Sequence, residues 1–193
     1  MKIVLASKSG VRKKILEENK ISCKVIESNI DEDQAKESLL EAGANPLAIS
    51  KNLAELKSIK VSRNLPGIMV LGADSVVSLD NELINKPKNR EDAFNILKKL
   101  NNSKHYLISS VCISKNGSMV WNYSETSELI MKNLTDIELQ NYLKRIDTET
   151  LLAYGVYQIE SNGLDLFKSI KGDINSIMGL PIKKVKEYLA IVS

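Results

Sequence analysis

Three carboxylates and three cations stand at the ends of structured runs or beside apolar ones: Glu32, Asp74 and Glu160, with Arg12, Lys57 and Lys86. Phosphoryl transfer uses this mixture. Cations and a divalent metal neutralise phosphate oxygens, while a carboxylate holds the metal or takes a proton from the attacking water. Asp74 is the sharpest of the six, because it interrupts the apolar run Leu71-Gly-Ala-Asp74-Ser75-Val-Val77. A carboxylate carried into a buried strand needs a partner, a metal or a proton. The other reading of the set is a scatter of solvated surface charges, and spacing alone leaves it open.

The elements that must position these residues follow from periodicity. Ile3–Ala6 reads as a short buried strand, and Ser7-Lys8-Ser9-Gly10 turns into a helix with Val11, Ile15 and Leu16 on its apolar face. Ser9 is its N-cap. Arg12, Lys13 and Lys14 oppose the helix dipole in the first turn, and a bound phosphate at the free N–H groups would compensate Arg12 beside Ser7 and Ser9. Lys13 and Lys14 read as a solvated face. Cys23–Glu27 reads as a second strand, followed by the acidic turn Ser28–Asp33. That turn is either a solvated helix start or a source of oxygen ligands, Glu32 among them, for Mg²⁺ or Mn²⁺.

Pro46–Val61 reads as an amphipathic helix with Leu47, Ile49, Leu53, Ala54 and Leu56 inward and Lys51, Lys57 and Lys60 on a basic side. Ile68–Leu79 is a strand in which Gly72 admits close approach of another backbone or a ligand. A helix capped at Asn89 runs to Leu100. His105–Ser114 and Met119–Ile130 form a hairpin across Asn116-Gly117. Thr135-x-x-Glu138 is a capping box opening a helix with Ile137, Tyr142, Leu143 and Ile146, and a last helix follows Gly179-Leu-Pro181. Alternating helices and strands, with no repeat or linker, predict one α/β domain over residues 1–193.

Composition removes other classes. The net charge of +3 and 5% aromatic content do not suit nucleic-acid binding. One histidine, His105, leaves no triad or histidine metal site, and no P-loop, dinucleotide-binding or nucleophile-elbow motif occurs. Cys23 and Cys112, widely spaced in apolar surroundings, read as buried reduced thiols. No segment is long enough to span a membrane, so the expected location is cytoplasmic.

Seven motifs then occur in the order and spacing of one family: Leu5-Ala-Ser7-Lys-Ser9-Gly-Val-Arg12, Ile30-Asp-Glu32, Leu53-Ala-x-x-Lys57, Gly72-Ala-Asp74, Lys86-Pro87, Tyr157-Gln-Ile-Glu160 and Gly179-Leu-Pro181. Across nearly the whole chain they resemble the Maf family. The resemblance implies an inosine-triphosphatase-like α/β fold, an elongated mixed sheet flanked by helices that form two lobes around a cleft, often as a homodimer. It implies a divalent-metal-dependent hydrolase of nucleotide metabolism, a nucleoside triphosphate pyrophosphatase releasing the monophosphate and pyrophosphate. Asp74 resembles the family's proton acceptor; Ser7, Ser9 and Arg12 its phosphate-binding turn; Lys57 and Lys86 its phosphate-neutralising lysines; Glu32, with Asp74, its metal-holding acids.

Three positions, Val11, Ser75 and Glu160, resemble its specificity set. Here the chain departs from the common pattern. Gly10 and Val11 replace the usual Pro-Arg before Arg12, Ser75 stands where the dTTP/UTP branch has threonine, and Glu160 where it has glutamine. Val11 and Glu160 resemble the branch that cleaves 7-methyl-GTP, whose cationic base and N–H donors suit a carboxylate. Ser75 is nearer the dTTP/UTP branch. The missing arginine is the one feature favouring an alternative, a catalytically weak nucleotide-binding regulator of cell division.

Overall fold

The computed structural model of the protein describes residues 3–159 and 162–192. One mixed sheet runs through it. Strand β1 (Ile3–Leu5) lies parallel between β2 (Cys23–Val25) and β3 (Met69–Leu79), and β3 continues antiparallel into β5 (Lys104–Lys115), β6 (Ser118–Met131) and β7 (Phe167–Lys171). Strand β4 (Glu82–Ile84) pairs with the far end of β3. The expected hairpin is present, with Asn116 and Gly117 both at positive φ in its turn.

The pairing of β3 creates the site. Its edge away from β5 is shared by two short strands, β1 against Met69–Leu71 and β4 against Val77–Leu79. Residues 72–76 therefore have no strand partner on that edge, while β5 covers them on the other. A gap opens in the sheet at Asp74 and Ser75.

Side chains alternate between the faces of a strand, and the two faces of β3 are covered differently. On one face Leu71 and Ala73 enter an apolar cluster with α1 (Gly10–Glu18) and α8 (Ile182–Val192). Further along that face, Val77 and Leu79 enter a second cluster with α4 (Arg90–Leu100), α5 (Asp136–Lys144) and α6 (Thr148–Tyr154). Ser75 lies between them. These two cores form the expected lobes on either side of the cleft.

The other face is covered by α3 (Pro46–Ser62), which sits very close. Its Ser50, Ala54, Ser58 and Ser62 recur every four residues and are fully buried. A Cβ on Gly72 would collide with the Ala54 carbonyl oxygen and lie 2.8 Å from the Ser58 nitrogen. Gly72 thus admits a helix backbone, one of its two expected uses. Of the inward face read from the sequence, Ile49, Leu53 and Ala54 are fully buried, whereas Leu47 and Leu56 are exposed, which is a correction: the serine row, and not these two leucines, completes the face toward the sheet. Lys57 is corrected too. It is 5% exposed and points to the sheet, so it belongs to no solvated basic side.

Four short strands and helices, β4, β7, α6 and α7 (Ile174–Ile177), have no counterpart in the periodicity reading. Three to seven residues are too few for a hydrophobic period, although Asp147 and Asp173 cap the two helices. Cys112 is buried as expected, Cys23 only half so, and both thiols are free. No helix among the described residues is long and apolar enough to cross a membrane.

Candidate active site

The gap in the sheet opens into a cleft of about 610 Å³. Ser7, Ser9, Val11 and Arg12 reach it from the β1–α1 turn, Glu32 from the start of α2 (Glu32–Glu41), Lys57 from α3, Asp74 and Ser75 from β3, and Lys86 from beyond β4. Nine of the ten residues singled out by sequence therefore share one cavity. The tenth, Glu160, lies outside the described residues; its neighbours Tyr157, Gln158 and Ile159 line the same cleft.

On the α3 face of β3, Asp74 is 5% exposed. Its Oδ1 accepts a hydrogen bond from Lys57 Nζ at 2.8 Å, and Lys57 Nζ also lies 3.0 Å from Glu32 Oε2. One ammonium thus bridges two carboxylates. Asp74 Oδ2 is buried and has no hydrogen-bond partner among the described residues. The Ser50 hydroxyl donates to the Asp74 carbonyl at 3.2 Å, fixing the strand against α3. Burial pushes the Glu32 carboxyl up, but Lys57, by charge and hydrogen bond, with Lys36 and Lys86, outweighs it and holds the group below its ordinary value.

On the opposite face, Arg12 is clamped by three acceptors. Nε donates to the Gly179 carbonyl at 2.9 Å, Nη1 to Ser7 Oγ at 3.2 Å and Nη2 to Ser75 Oγ at 3.2 Å. A guanidinium carries five donors, so two remain for a ligand. Gly179 has φ +105°, and a Cβ there would stand 3.2 Å from Arg12 Nε, so a glycine seats the clamp. Burial lowers the Arg12 pKa against the opposing pull of Asp74 and Glu32, but an arginine keeps its charge at any physiological pH.

Ser9 caps α1 as expected, its hydroxyl accepting from the Arg12 amide at 3.3 Å. Ser7 Oγ accepts from the Ser9 amide. Among the described residues the amides of Gly10 and Val11 have no acceptor, the pattern of a helix N-terminus open to an anion. Lys13 and Lys14 pair with Glu17 and Glu18 in solvent, as the solvated reading required.

Lys86, solvent-accessible at the rim, donates to the Ala153 carbonyl of α6 at 2.6 Å and so spans the cleft. Desolvation there lowers its pKa, with Lys36 and Arg12 adding to the effect and Glu32 and Asp74 opposing it. Lys36 is a cleft residue that sequence reasoning passed over. It is half-buried and lies one helical turn beyond Glu32; that four-residue spacing was its available signal. Ser109 and Ser176, behind Ser75, were also missed. Single serines within strands or short helices carry no pattern.

The donor set suits a hard divalent cation in part. Asp74 Oδ2 lacks a partner and Glu32 is half-exposed beside it, whereas no group of three or more histidine, cysteine or acidic residues is placed to hold a metal ion among the described residues. Mg²⁺ commonly takes one or two protein carboxylates and completes its shell with water and substrate phosphates. Two carboxylates in an open cleft meet that requirement.

A model of the Maf-like protein family matches residues 2–192. The chain is 58% identical over 190 residues to a nucleoside triphosphate pyrophosphatase of Pelagibacter ubique, covering 98% of this chain and 97% of that protein. It is 35% identical to a 7-methyl-GTP pyrophosphatase of Brucella abortus, covering 94% and 92%. Among solved structures, a HAM1 protein from Coxiella burnetii aligns with 69% of this chain and 74% of its own, at 16% identity and a TM-score of 0.49.

Proposed function

The chain belongs to the Maf-like protein family, and from that premise we propose that it is a nucleoside triphosphate pyrophosphatase in which Asp74 is the proton acceptor. One observation carries the assignment: Asp74 is buried at the cleft with one oxygen held by Lys57 and the other unpaired among the described residues. A carboxylate so placed has its orientation set by the lysine and a free lone pair for a water proton. The water oxygen forms the new bond to phosphorus, the α–β anhydride bond breaks, the proton passes to Asp74 Oδ2, and pyrophosphate departs.

Lys57 orients Asp74 and, with Lys86, neutralises charge that develops on the phosphates, while Arg12 binds them. Ser7, Ser9 and the open amides of α1 receive phosphate oxygens. Asp74 and Glu32 would hold Mg²⁺ or Mn²⁺, which when bound supplies Lewis-acid polarisation of the phosphoryl oxygens. Val11, Ser75 and Glu160 are the base-discriminating positions in this reading. The proposal for Glu160 rests on its place in the chain two residues beyond Gln158, which lines the cleft.

The test is pyrophosphate release by the purified protein with Mg²⁺ or Mn²⁺, across dTTP, UTP, CTP, 7-methyl-GTP and ATP. Release from at least one, abolished by a chelator, is the expected result. Nucleotide binding without release from any of them would instead support the regulator reading. Glu160→Gln should lower the rate on 7-methyl-GTP relative to UTP; an unchanged ratio removes Glu160 from the specificity set.

A further inference from the structure

Behind Ser75 runs a row of buried hydroxyls whose hydrogen-bond directions are all determined. Ser75, Ser109 and Glu125 are consecutive cross-strand partners on β3, β5 and β6, in the seam between the two cores. Ser109 Oγ lies 2.6 Å from the Ser176 carbonyl oxygen and 2.8 Å from Ser75 Oγ. Ser75 Oγ in turn lies 3.2 Å from Arg12 Nη2. The far end is pinned, because the Ser176 hydroxyl donates to Glu125 Oε2 at 2.9 Å and the Asp173 side chain accepts from the Ser176 amide.

A carbonyl only accepts, so the single proton of Ser109 is committed to Ser176. Toward Ser75, Ser109 can only accept, and the single proton of Ser75 is therefore committed to Ser109. Arg12 has no acceptor, so toward Arg12 Ser75 also accepts. What Ser75, half-exposed in the cleft, offers a ligand is its remaining lone pair.

An ionised triphosphate presents only acceptors, so the phosphates cannot be what this lone pair receives. A metal cation is disfavoured there by the guanidinium 3.2 Å away. The donors left on a nucleoside triphosphate are base N–H groups and ribose hydroxyls.

We infer that Ser109 is a positioning residue that fixes the Ser75 hydroxyl as an acceptor, so that Ser75 reads a hydrogen-bond donor on the nucleoside. The inference rests on the pyrophosphatase reading for the kind of ligand and adds a direction to it. Bases with a ring N–H at the contact are favoured over those with a ring nitrogen acceptor, because the mismatch sets two acceptors against each other. In Ser109→Ala the Ser75 proton loses its acceptor and can turn into the cleft, so the preference weakens.

Calorimetry with non-hydrolysable α,β-methylene triphosphates tests this without depending on turnover. Wild type should bind the uridine analogue roughly tenfold more tightly than the cytidine analogue. The contrast is read on the base because a ribose hydroxyl both donates and accepts and is blind to the direction of Ser75. Ser109→Ala should bring this ratio close to one while leaving the affinity for inorganic tripolyphosphate unchanged, since Arg12 keeps Ser7 and Gly179. The Ser75→Ala and Ser75→Ala/Ser109→Ala proteins should share one ratio, because Ser109 acts through Ser75.

The inference fails if wild type shows no preference for the uridine analogue, or if Ser109→Ala weakens all nucleotides and tripolyphosphate by one common factor. If Ser109→Ala does not fold, a Ser75→Ala protein that keeps the wild-type ratio overturns it equally. Absence of pyrophosphate release with these ratios intact would count against the catalytic reading alone.

Discussion

Asp74 and Ser75 are neighbours in one strand, yet they enter opposite kinds of environment. Asp74 faces α3 and a bridge of full charges, Lys57 between two carboxylates. Ser75 faces the seam between two cores, where neutral hydroxyls and one immobilised guanidinium hold one another. The first arrangement is strong and its outcome depends on protonation. The second is weak per contact and its outcome depends on direction. Placed back to back at a gap in the sheet, they let a single strand present chemistry on one face and recognition on the other.

The largest expected effect breaks the comparison on the Asp74 side. Asp74→Asn keeps the shape and removes the base, and turnover should fall roughly 10²- to 10⁴-fold with nucleotide binding retained. Steady-state rates beside calorimetric affinities check this; an unchanged rate means that another group takes the proton. Lys57→Met should lower turnover too, and in urea unfolding it should cost about 3 kcal/mol, since a buried Asp74 would lose its counter-charge. That figure is toward the low end for a broken buried pair because Glu32 is half-exposed and solvent relieves part of its loss. In the Asp74→Asn background the same substitution should cost much less, a coupling that a solvated lysine would not show.

The two faces also differ in how much of them the sequence reveals. Asp74 is legible because a charge inside an apolar run violates a pattern, and Gly72 because a glycine there violates strand preference. Ser9, Asn89 and the Thr135/Glu138 box are legible as caps because capping is local, and all three form as read. The Ser75–Ser109–Ser176 row is not legible, since its members are 34 and 67 residues apart and serine is unremarkable in each place. Lys57 fell to the wrong side for a related reason. Helical period identifies Ile49, Leu53 and Ala54, but it gives no reason to put serines and a lysine beside them on the buried face, and the close approach at Gly72 is a property of two elements together.

A pH experiment separates the faces further. His105 lies on β5 on the same face as Ser109, fully buried, with Nε2 3.2 Å from the Tyr157 hydroxyl and Nδ1 without a partner among the described residues. Burial pushes it down from 6.5 to about 4. Between those values the unfolded chain binds a proton that the folded chain refuses, so stability must fall as pH falls through the window. By pH 4.5 the loss attributable to His105 is about 2 kcal/mol, and His105→Phe should remove that part of the slope. Glu32 acts in a different window. Its folded value is depressed, so its contribution is complete above the ordinary carboxylate value and is lost progressively as pH falls from there through the folded value.

The smallest effect probes whether the two faces are separable in function. Gly179→Ala places a Cβ at φ +105° and 3.2 Å from Arg12 Nε, 3.3 Å from Ser75 Oγ. Backbone strain should cost about 1 kcal/mol. The consequence for the site is more specific: Arg12 is displaced from one of its three anchors while Asp74, Lys57 and Glu32, on the far side of β3, are untouched. The expected signature is a several-fold rise in KM with kcat nearly unchanged, the signature of an interaction made alike in ground and transition states. A fall in kcat approaching that of Asp74→Asn would mean that Arg12 engages the reacting phosphate as it changes, and the division between a chemical face and a recognition face would then have to be redrawn with Arg12 on the chemical side.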